Sequence, residues 1–126
     1  MKLKVLLLVE ILTFLTFGSP QSCKHYPNST FLNCSGLGFL NVPKNLPVNT
    51  TRLDLSSNNI TTLFNNDFSE LTNLQYLDLS INLISLIQVN AFNGLQTLQE
   101  LHLFGHRLNY TNESLPVDVF EPLKSL

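Results

Sequence analysis

The chain has 126 residues and a formal net charge of −2, with 7 Lys and Arg against 9 Asp and Glu. This charge balance provides no basic surface for a nucleic-acid backbone. A polyanionic ligand would have to bind parts of the protein outside this sequence. Two cysteines and three scattered histidines do not make a zinc site. No nucleophile–base set, Gly-rich phosphate loop or metal-ligand spacing occurs. We therefore expect a binding protein that is not an enzyme and has no cofactor or metal.

Residues 1–22 have the order of a secretory signal peptide. Lys2 and Lys4 supply a positive start, residues 5–17 form an apolar run interrupted by Glu10, and small residues follow before Cys23. A bilayer-crossing helix needs about 20 apolar residues, so the run is short for a permanent anchor. We predict cleavage between residues 18 and 22 and entry into the secretory pathway, with an extracellular or lumenal location.

Two chemical features fit that compartment. Cys23 and Cys34 are the two cysteines of the chain, and in an oxidising environment they predict a disulfide. Six Asn-x-Ser/Thr sequons predict N-glycosylation. They start at Asn28, Asn33, Asn49, Asn59, Asn109 and Asn112. Asn33 is the weak member, because Cys34 is its middle residue and early disulfide closure would compete with glycosylation.

The chain repeats with a period of 24 residues. The first copy is Leu53, Leu55, Asn58, Ile60, Leu63, Phe68, Leu71 and Leu74, and the second is Leu77, Leu79, Asn82, Ile84, Ile87, Phe92, Leu95 and Leu98. An amphipathic helix does not produce this period. The alternating leucines predict a short strand with one buried face, and stacked coils would share one core.

Within each coil, Asn58 and Asn82 are predicted to be buried and to bond the backbone of their own and the neighbouring coil. A third copy opens at Leu101 but carries His106 in place of the asparagine. Its tail then arrives four residues late, which places an insertion at about residues 109–119. We interpret the insertion as a surface loop that either borders a binding face or carries glycans.

The pattern LxxLxLxxNxL, with the later Phe and Leu positions, resembles the leucine-rich-repeat superfamily in its extracellular form. Residues 34–47, which run from a cysteine through Val-Pro to Leu-Pro, resemble the N-terminal cap of these proteins. Together with residues 51–60 they are similar above all to Toll-like receptor ectodomains. Two cap cysteines fit the simpler Toll-like caps better than the four-cysteine caps of matrix proteins. The resemblance covers residues 23–126.

The resemblance implies an α/β-type repeat solenoid, a horseshoe segment with parallel strands on its concave face, a disulfide-bearing cap and an irregular convex side. The ranges are a cap at 23–49, repeat 1 at 50–73, repeat 2 at 74–97, and repeat 3 at 98–126. We expect the third repeat to be truncated and the chain to be a fragment, because a solenoid needs a polar cap at each end.

The outward positions of the three strands form the candidate ligand face. Its members are Arg52, Asp54, Tyr76, Asp78, Glu100, His102 and Phe104, with Ser56, Ser57, Ser80, Ile81 and Gly105 beside them. We predict that these positions carry no structural duty. Asp54, Asp78 and His102 share one register, and they either sit in water or form a polar stripe with a titratable member. The exposed apolar groups are either partner anchors or ordinary surface scatter.

Two functions follow. The first is the start of a Toll-like innate immune receptor ectodomain, which binds a protein or microbial ligand on its concave or lateral face. This resemblance implies receptor dimerisation in the full-length protein, and membrane attachment only through a downstream segment. The second is a secreted or matrix leucine-rich-repeat protein that acts in adhesion or as a soluble decoy.

Overall fold

A computed structural model describes residues 22–126, so the predicted signal peptide lies outside the described residues, apart from Ser22. The regular elements in this range are seven short β-strands. They are β1 (Lys24–His25), β2 (Phe31–Asn33), β3 (Arg52–Asp54), β4 (Thr62–Leu63), β5 (Tyr76–Asp78), β6 (Leu86–Ile87) and β7 (Glu100–His102). Residues 22–126 contain no helix long and apolar enough to cross a membrane.

Five of the strands form one sheet in the order β1-β2-β3-β5-β7. β2, β3, β5 and β7 are parallel, and their register joins Leu53 to Leu77 and Leu77 to Leu101, one repeat apart. Backbone bonds continue the ladder beyond each strand, as where Leu55 N–H donates to the Asp78 carbonyl at 2.8 Å. The predicted solenoid of stacked coils with one parallel sheet is confirmed.

The core lies behind this sheet and is built from the repeated apolar positions. All apolar members of the first two copies are buried, and most of them are fully so. The Phe68 and Phe92 rings stack with centroids 6.2 Å apart, and Phe92 and Phe120 stack at 5.8 Å. The three phenylalanine rings therefore form one continuous stack along the returning side of the coils, as the repeat pattern requires.

The cap begins the sheet. β1 pairs antiparallel with β2, and the Cys23–Cys34 disulfide links the residue before β1 to the residue after β2. Cys34 N–H donates to the Asp54 carbonyl at 2.8 Å, so the cap is hydrogen-bonded directly to repeat 1. The predicted disulfide is confirmed, and it anchors β1 over the open edge of the first coil.

The convex side has more order than the sequence indicated. β4 and β6 form a two-stranded parallel sheet, and beside it runs a ladder of side-chain amides. Gln88 Oε1 accepts from Asn65 N–H at 2.7 Å, and Asn65 Oδ1 accepts from Asn90 N–H at 3.0 Å.

The insertion at residues 109–119 is held in place by hydrogen bonds within the insertion and to repeat 2. Ser114 is 8% exposed, and its hydroxyl accepts from Thr111 N–H at 3.2 Å. The Ser114 carbonyl accepts from Ile87 N–H at 2.9 Å, which ties the insertion to repeat 2. Val119 is then fully buried, so the core pattern resumes directly after the extra residues.

Candidate functional site

The concave face is held in shape by the two ladder asparagines. Asn58 Nδ2 donates to the carbonyls of Cys34 and Leu55, both at 2.9 Å, and its Oδ1 accepts from the N–H groups of Leu37 and Phe39, both at 3.0 Å. A single amide thus satisfies backbone groups in the cap and in repeat 1. The turn that ends the strand is fixed to the coil before it.

Asn82 repeats the arrangement one coil later. Its Nδ2 donates to Leu55 and Leu79 carbonyls at 3.0 and 2.9 Å, and its Oδ1 accepts from Ile60 N–H at 3.1 Å. It is 3% exposed. The position of Asn58 and Asn82 inside the turn therefore sets the orientation of the outward residues that precede them.

The candidate ligand face has the register that the repeat predicts. Arg52, Tyr76 and Glu100 are neighbours across β3, β5 and β7, and Asp54, Asp78 and His102 form the second row. Phe104 follows β7 and is 57% exposed. All seven residues lie on or just after the three strands, and this arrangement brings them onto one surface.

The prediction that these outward positions lack a structural duty is wrong for part of the face. Asp78 Oδ1 accepts from Ser80 N–H at 2.8 Å and from the Ser80 hydroxyl at 2.5 Å, and Asp54 binds Ser56 in the same way. The carboxylate closes a local turn at the strand end. Asn33 plays the equivalent role in the cap, with Ser35 as the donor.

A row of rings and one guanidinium crosses the face. The Arg52 Cζ lies 4.4 Å above the Tyr76 ring centroid, the Tyr76 and His102 rings are 5.2 Å apart, and His102 and Phe104 are 6.5 Å apart. The row runs from repeat 1 to repeat 3. It gives the concave face a continuous band of aromatic surface that spacing alone did not predict.

His102 lies between two carboxylates. Its Nε2 is 2.7 Å from Glu100 Oε1, and its Nδ1 is 3.9 Å from Asp78 Oδ2. An anionic ligand that approached this ring would therefore also meet the carboxylates of Glu100 and Asp78. The predicted titratable pair of His102 and Asp78 thus includes Glu100 as its nearer partner.

Negative charge also dominates around the Tyr76 hydroxyl. Burial raises the pKa of the Tyr76 phenol above its ordinary value. The carboxylates of Asp78, Glu100 and Asp54 act in the same direction, in that order. Three acids therefore place this part of the face in a negative field.

Ile81 has an unusual backbone. Its φ is 54°, in the left-handed region, and the equivalent positions one coil away are Ser57 and Gly105, with φ of 56° and 74°. A β-branched residue in this region is a conformational outlier. The Ile81 side chain is nonetheless 57% exposed beside Phe104.

The six sequons separate into two groups. Five acceptor asparagines are exposed, and they are Asn28, Asn49, Asn59, Asn109 and Asn112. Asn33 is half-buried in the register of Asp54, and its Oδ1 accepts from the Ser35 hydroxyl at 2.7 Å. Glycosylation at the five exposed sites stays a prediction, and a glycan on Asn33 would stand on the concave face.

No group of three or more His, Cys, Asp or Glu side chains among residues 22–126 is placed to hold a metal ion. The face instead offers hydrogen-bonding groups, rings and charges on a regular sheet. These are the features of a surface that recognises another molecule.

The class of protein follows from the coils and from a comparison of families. Residues 48–108 match the family model described as Leucine rich repeat. Together with the observed coils, this match gives the chain the leucine-rich-repeat solenoid fold, with a cap and three coils.

Curated relatives match short segments of this chain, and the chain spans only 12–14% of the length of these relatives. Biglycan of Xenopus laevis is 54% identical over 43 residues, which is 34% of this chain and 12% of biglycan. Decorin of Homo sapiens is 51% identical over 43 residues, again 34% of this chain and 12% of the relative. Asporin of Bos taurus is 42% identical over 55 residues, or 44% of this chain and 14% of asporin.

Solved structures match over a larger share of the chain. The TLR13–ssRNA13 complex superposes with a TM-score of 0.70 and 26% identity, covering 84% of this chain and 18% of that chain. Human 5T4, also called trophoblast glycoprotein, gives a TM-score of 0.66 at 26% identity, covering 72% of this chain and 33% of that chain. These proteins are similar to the chain in fold, and each is far longer than the part that it matches.

Proposed function

We propose that this chain is the N-terminal part of the ligand-recognition ectodomain of a Toll-like innate immune receptor. The observation that carries the proposal is the extent of the structural similarity to TLR13, which covers 84% of the chain. The three repeats at 50–126 alone are too short for that coverage, so the similarity extends into the disulfide-bearing cap.

Recognition would take place on the concave or lateral face of the solenoid, with a protein or microbial molecule as the ligand. The full-length receptor would dimerise and would reach the membrane through a segment downstream of residue 126. We place the chain in the secretory pathway, at the plasma membrane or in an endosome, because residues 1–22 have the order of a signal peptide.

A second function has its own support. A segment of 43 residues is 54% identical to biglycan, a higher local identity than the 26% to TLR13. A secreted or matrix leucine-rich-repeat protein for adhesion or soluble decoy binding would also use the concave face. The cap favours the receptor, because two cysteines rather than four fit the simpler Toll-like type.

The full-length transcript that encodes this chain distinguishes the two functions. Sequencing to the stop codon should find further 24-residue repeats, then about 20 apolar residues able to span a bilayer, then a globular signalling domain. A stop codon directly after a cysteine-containing cap, with no apolar span, would refute the receptor and support the matrix protein.

Secretory passage can be tested on the chain itself. Expression in mammalian cells should give a product that starts between residues 19 and 23 and that loses mass on treatment with an N-glycosidase. An uncleaved product that stays in the cytosol and carries no glycan would contradict both functions.

A further inference from the structure

The concave face changes charge along the solenoid. β1 and β3 contribute the cations Lys24 and Arg52 and one carboxylate, Asp54, whereas the acidic and basic residues of β5 and β7, apart from His102, are the carboxylates Asp78 and Glu100. The Glu100 side chain is 58% exposed, and His102 contacts only its Oε1 within hydrogen-bonding distance. The third-coil end of the face therefore presents carboxylate that is accessible to a partner.

Apolar surface adjoins these acids. Phe104 and Ile81 are each 57% exposed, and Ile81 N–H donates to the Phe104 carbonyl at 2.9 Å. Ile81 Cγ1 lies 3.6 Å from the point where a Cβ on Gly105 would stand, so the isoleucine covers the glycine beside Phe104. Two large apolar side chains are thus exposed to solvent on adjacent coils, and their backbones are hydrogen-bonded to each other.

Stability does not account for isoleucine at position 81. Its left-handed backbone favours Asn or Gly, and a β-branched side chain there costs free energy. The side chain is mostly exposed, so burial returns little of that cost. An exposed, strained apolar residue beside an exposed phenylalanine is typical of a contact surface.

The protein itself shows which chemistry the face accommodates. The Arg52 guanidinium stacks over the Tyr76 ring at 4.4 Å, in the field of the neighbouring carboxylates. A cation over an aromatic face is stabilised by the ring quadrupole, and more so beside negative charge. The His102 and Phe104 rings continue the same row, and no cation among residues 22–126 lies over them as Arg52 does over Tyr76.

We propose that this acidic–aromatic strip, formed by Tyr76, Asp78, Ile81, Glu100, His102 and Phe104, binds a protein segment that presents an arginine or lysine next to an apolar side chain. The proposal deepens the proposed function by naming the partner chemistry, and it rests on that function. The cation would meet Glu100 and the rings, and the apolar side chain would cover Phe104 and Ile81. A nucleic acid fits poorly, because its phosphates would face Asp78 and Glu100.

The test uses the secreted, disulfide-bonded chain and three fluorescent probes at about 0.15 M salt, where exposed charges further apart than about 8 Å are screened. The probes are a peptide of alternating Arg and Phe, its counterpart of alternating Glu and Phe, and a single-stranded RNA. Fluorescence anisotropy should show binding of the Arg–Phe peptide alone. Binding of RNA without the Arg–Phe peptide would overturn the strip while leaving a ligand-recognition function in place. Equal binding of both peptides would also overturn it.

Charge variants locate the binding. Glu100→Lys should weaken binding of the Arg–Phe peptide about fivefold, because it removes an attraction and adds a repulsion between exposed charges. A fivefold change corresponds to about 1 kcal/mol. Glu121→Lys makes the same charge change on an exposed residue outside the sheet and should change the affinity less than twofold. Equal effects of the two would show non-specific attraction and refute the strip. Asp78→Asn is avoided, because an asparagine two residues before Ser80 would create a glycosylation acceptor.

An apolar variant separates contact from folding. Ile81→Asn suits the left-handed backbone, so it should keep or raise the thermal midpoint while weakening the peptide about threefold or more. Phe104→Ala should weaken peptide binding to a similar extent. It should change the thermal midpoint little, because Phe104 is exposed. Unchanged affinity in both variants would refute the apolar half of the strip. The transcript test of the proposed function is unaffected by any of these results.

Discussion

Repeats 2 and 3 occupy equivalent places in the solenoid but stabilise their turns differently. In repeat 2 the Asn82 amide reaches two carbonyls and one N–H of the neighbouring and own coils. In repeat 3 the equivalent residue is His106, and both of its ring nitrogens are buried without a hydrogen-bond partner among the described residues. The same leucine pattern thus occurs with a hydrogen-bonded side chain in the turn of repeat 2 and with an unbonded side chain in the turn of repeat 3.

The chemistry of the two side chains explains the difference. A primary amide has two donors on one atom and an acceptor close by, so it can bridge adjacent strands at a single point. A neutral imidazole has one donor and one acceptor on opposite sides of a rigid ring. The leucines therefore determine where the coil folds, whereas the asparagine determines how firmly the turn is attached to the neighbouring coil.

Removing the amide from repeat 2 should have the largest effect. Asn82→Ala would leave the carbonyl of Leu79 and the N–H of Ile60 without their side-chain partner, at a cost of about 1–3 kcal/mol. The Leu55 carbonyl would keep the Asn58 amide as a donor. Denaturant unfolding of the chain measures it. Asn59→Gln is the matched control, because it removes an exposed asparagine and a sequon in the neighbouring turn and should change stability little. Equal tolerance of both changes would contradict the ladder.

The insertion of repeat 3 offers a second matched pair. Ser114→Ala and Asn112→Gln both abolish the same sequon, but only the first removes the hydroxyl that accepts from Thr111 N–H. We expect Ser114→Ala to cost about 1 kcal/mol and Asn112→Gln to cost much less. The comparison is made by thermal unfolding. If the two variants lose the same stability, the glycan and not the hydroxyl holds the insertion.

Repeat 3 can also be converted toward repeat 2. His106→Asn should let an amide bond the carbonyls of Leu79 and Leu103, a gain of about 0.5–1.5 kcal/mol. Hydrogen exchange should slow in the turn at residues 103–108, whereas the turn of repeat 2 serves as the internal control. Lower stability of the variant would show that packing of the imidazole ring outweighs the missing hydrogen bonds.

The smallest expected effect is on pH dependence. Burial lowers the pKa of His106 below its ordinary value of 6.5, and no neighbouring charge contributes to this shift. The folded state therefore binds the proton less readily than the unfolded state. Stability should be retained above about pH 6.5 and lost as the pH falls below it through the lowered pKa.

His106→Asn should remove that part of the acid sensitivity, and denaturant unfolding at a series of pH values measures it. His25→Asn is the control, because His25 is exposed in the cap. Parallel pH profiles for wild type and His106→Asn would show that His106 does not carry the effect.

Much of the candidate site could be predicted from register. Two leucines in each coil flank the outward residue between them. The row of Asp54, Asp78 and His102 follows, because parallel strands with a common period align equivalent residues. The aromatic row was not predictable in the same way. The contact of Tyr76 with His102 runs between different positions of adjacent strands, and it depends on side-chain conformations that spacing does not encode.

The repeat spacing was enough to predict the solenoid, its buried positions and the placement of Asn58 and Asn82 in the turns, because a 24-residue period specifies which side chains recur at one depth of a shared core. The cap disulfide was predictable from the two cysteines and the secretory compartment. The tertiary structure alone decided that Asp54 and Asp78 close their own turns, that His102 lies between Asp78 and Glu100, and that Ser114 anchors the insertion. Those outcomes depend on hydrogen-bond geometry at about 3 Å between polar groups, and a pattern of apolar spacing carries no information about it.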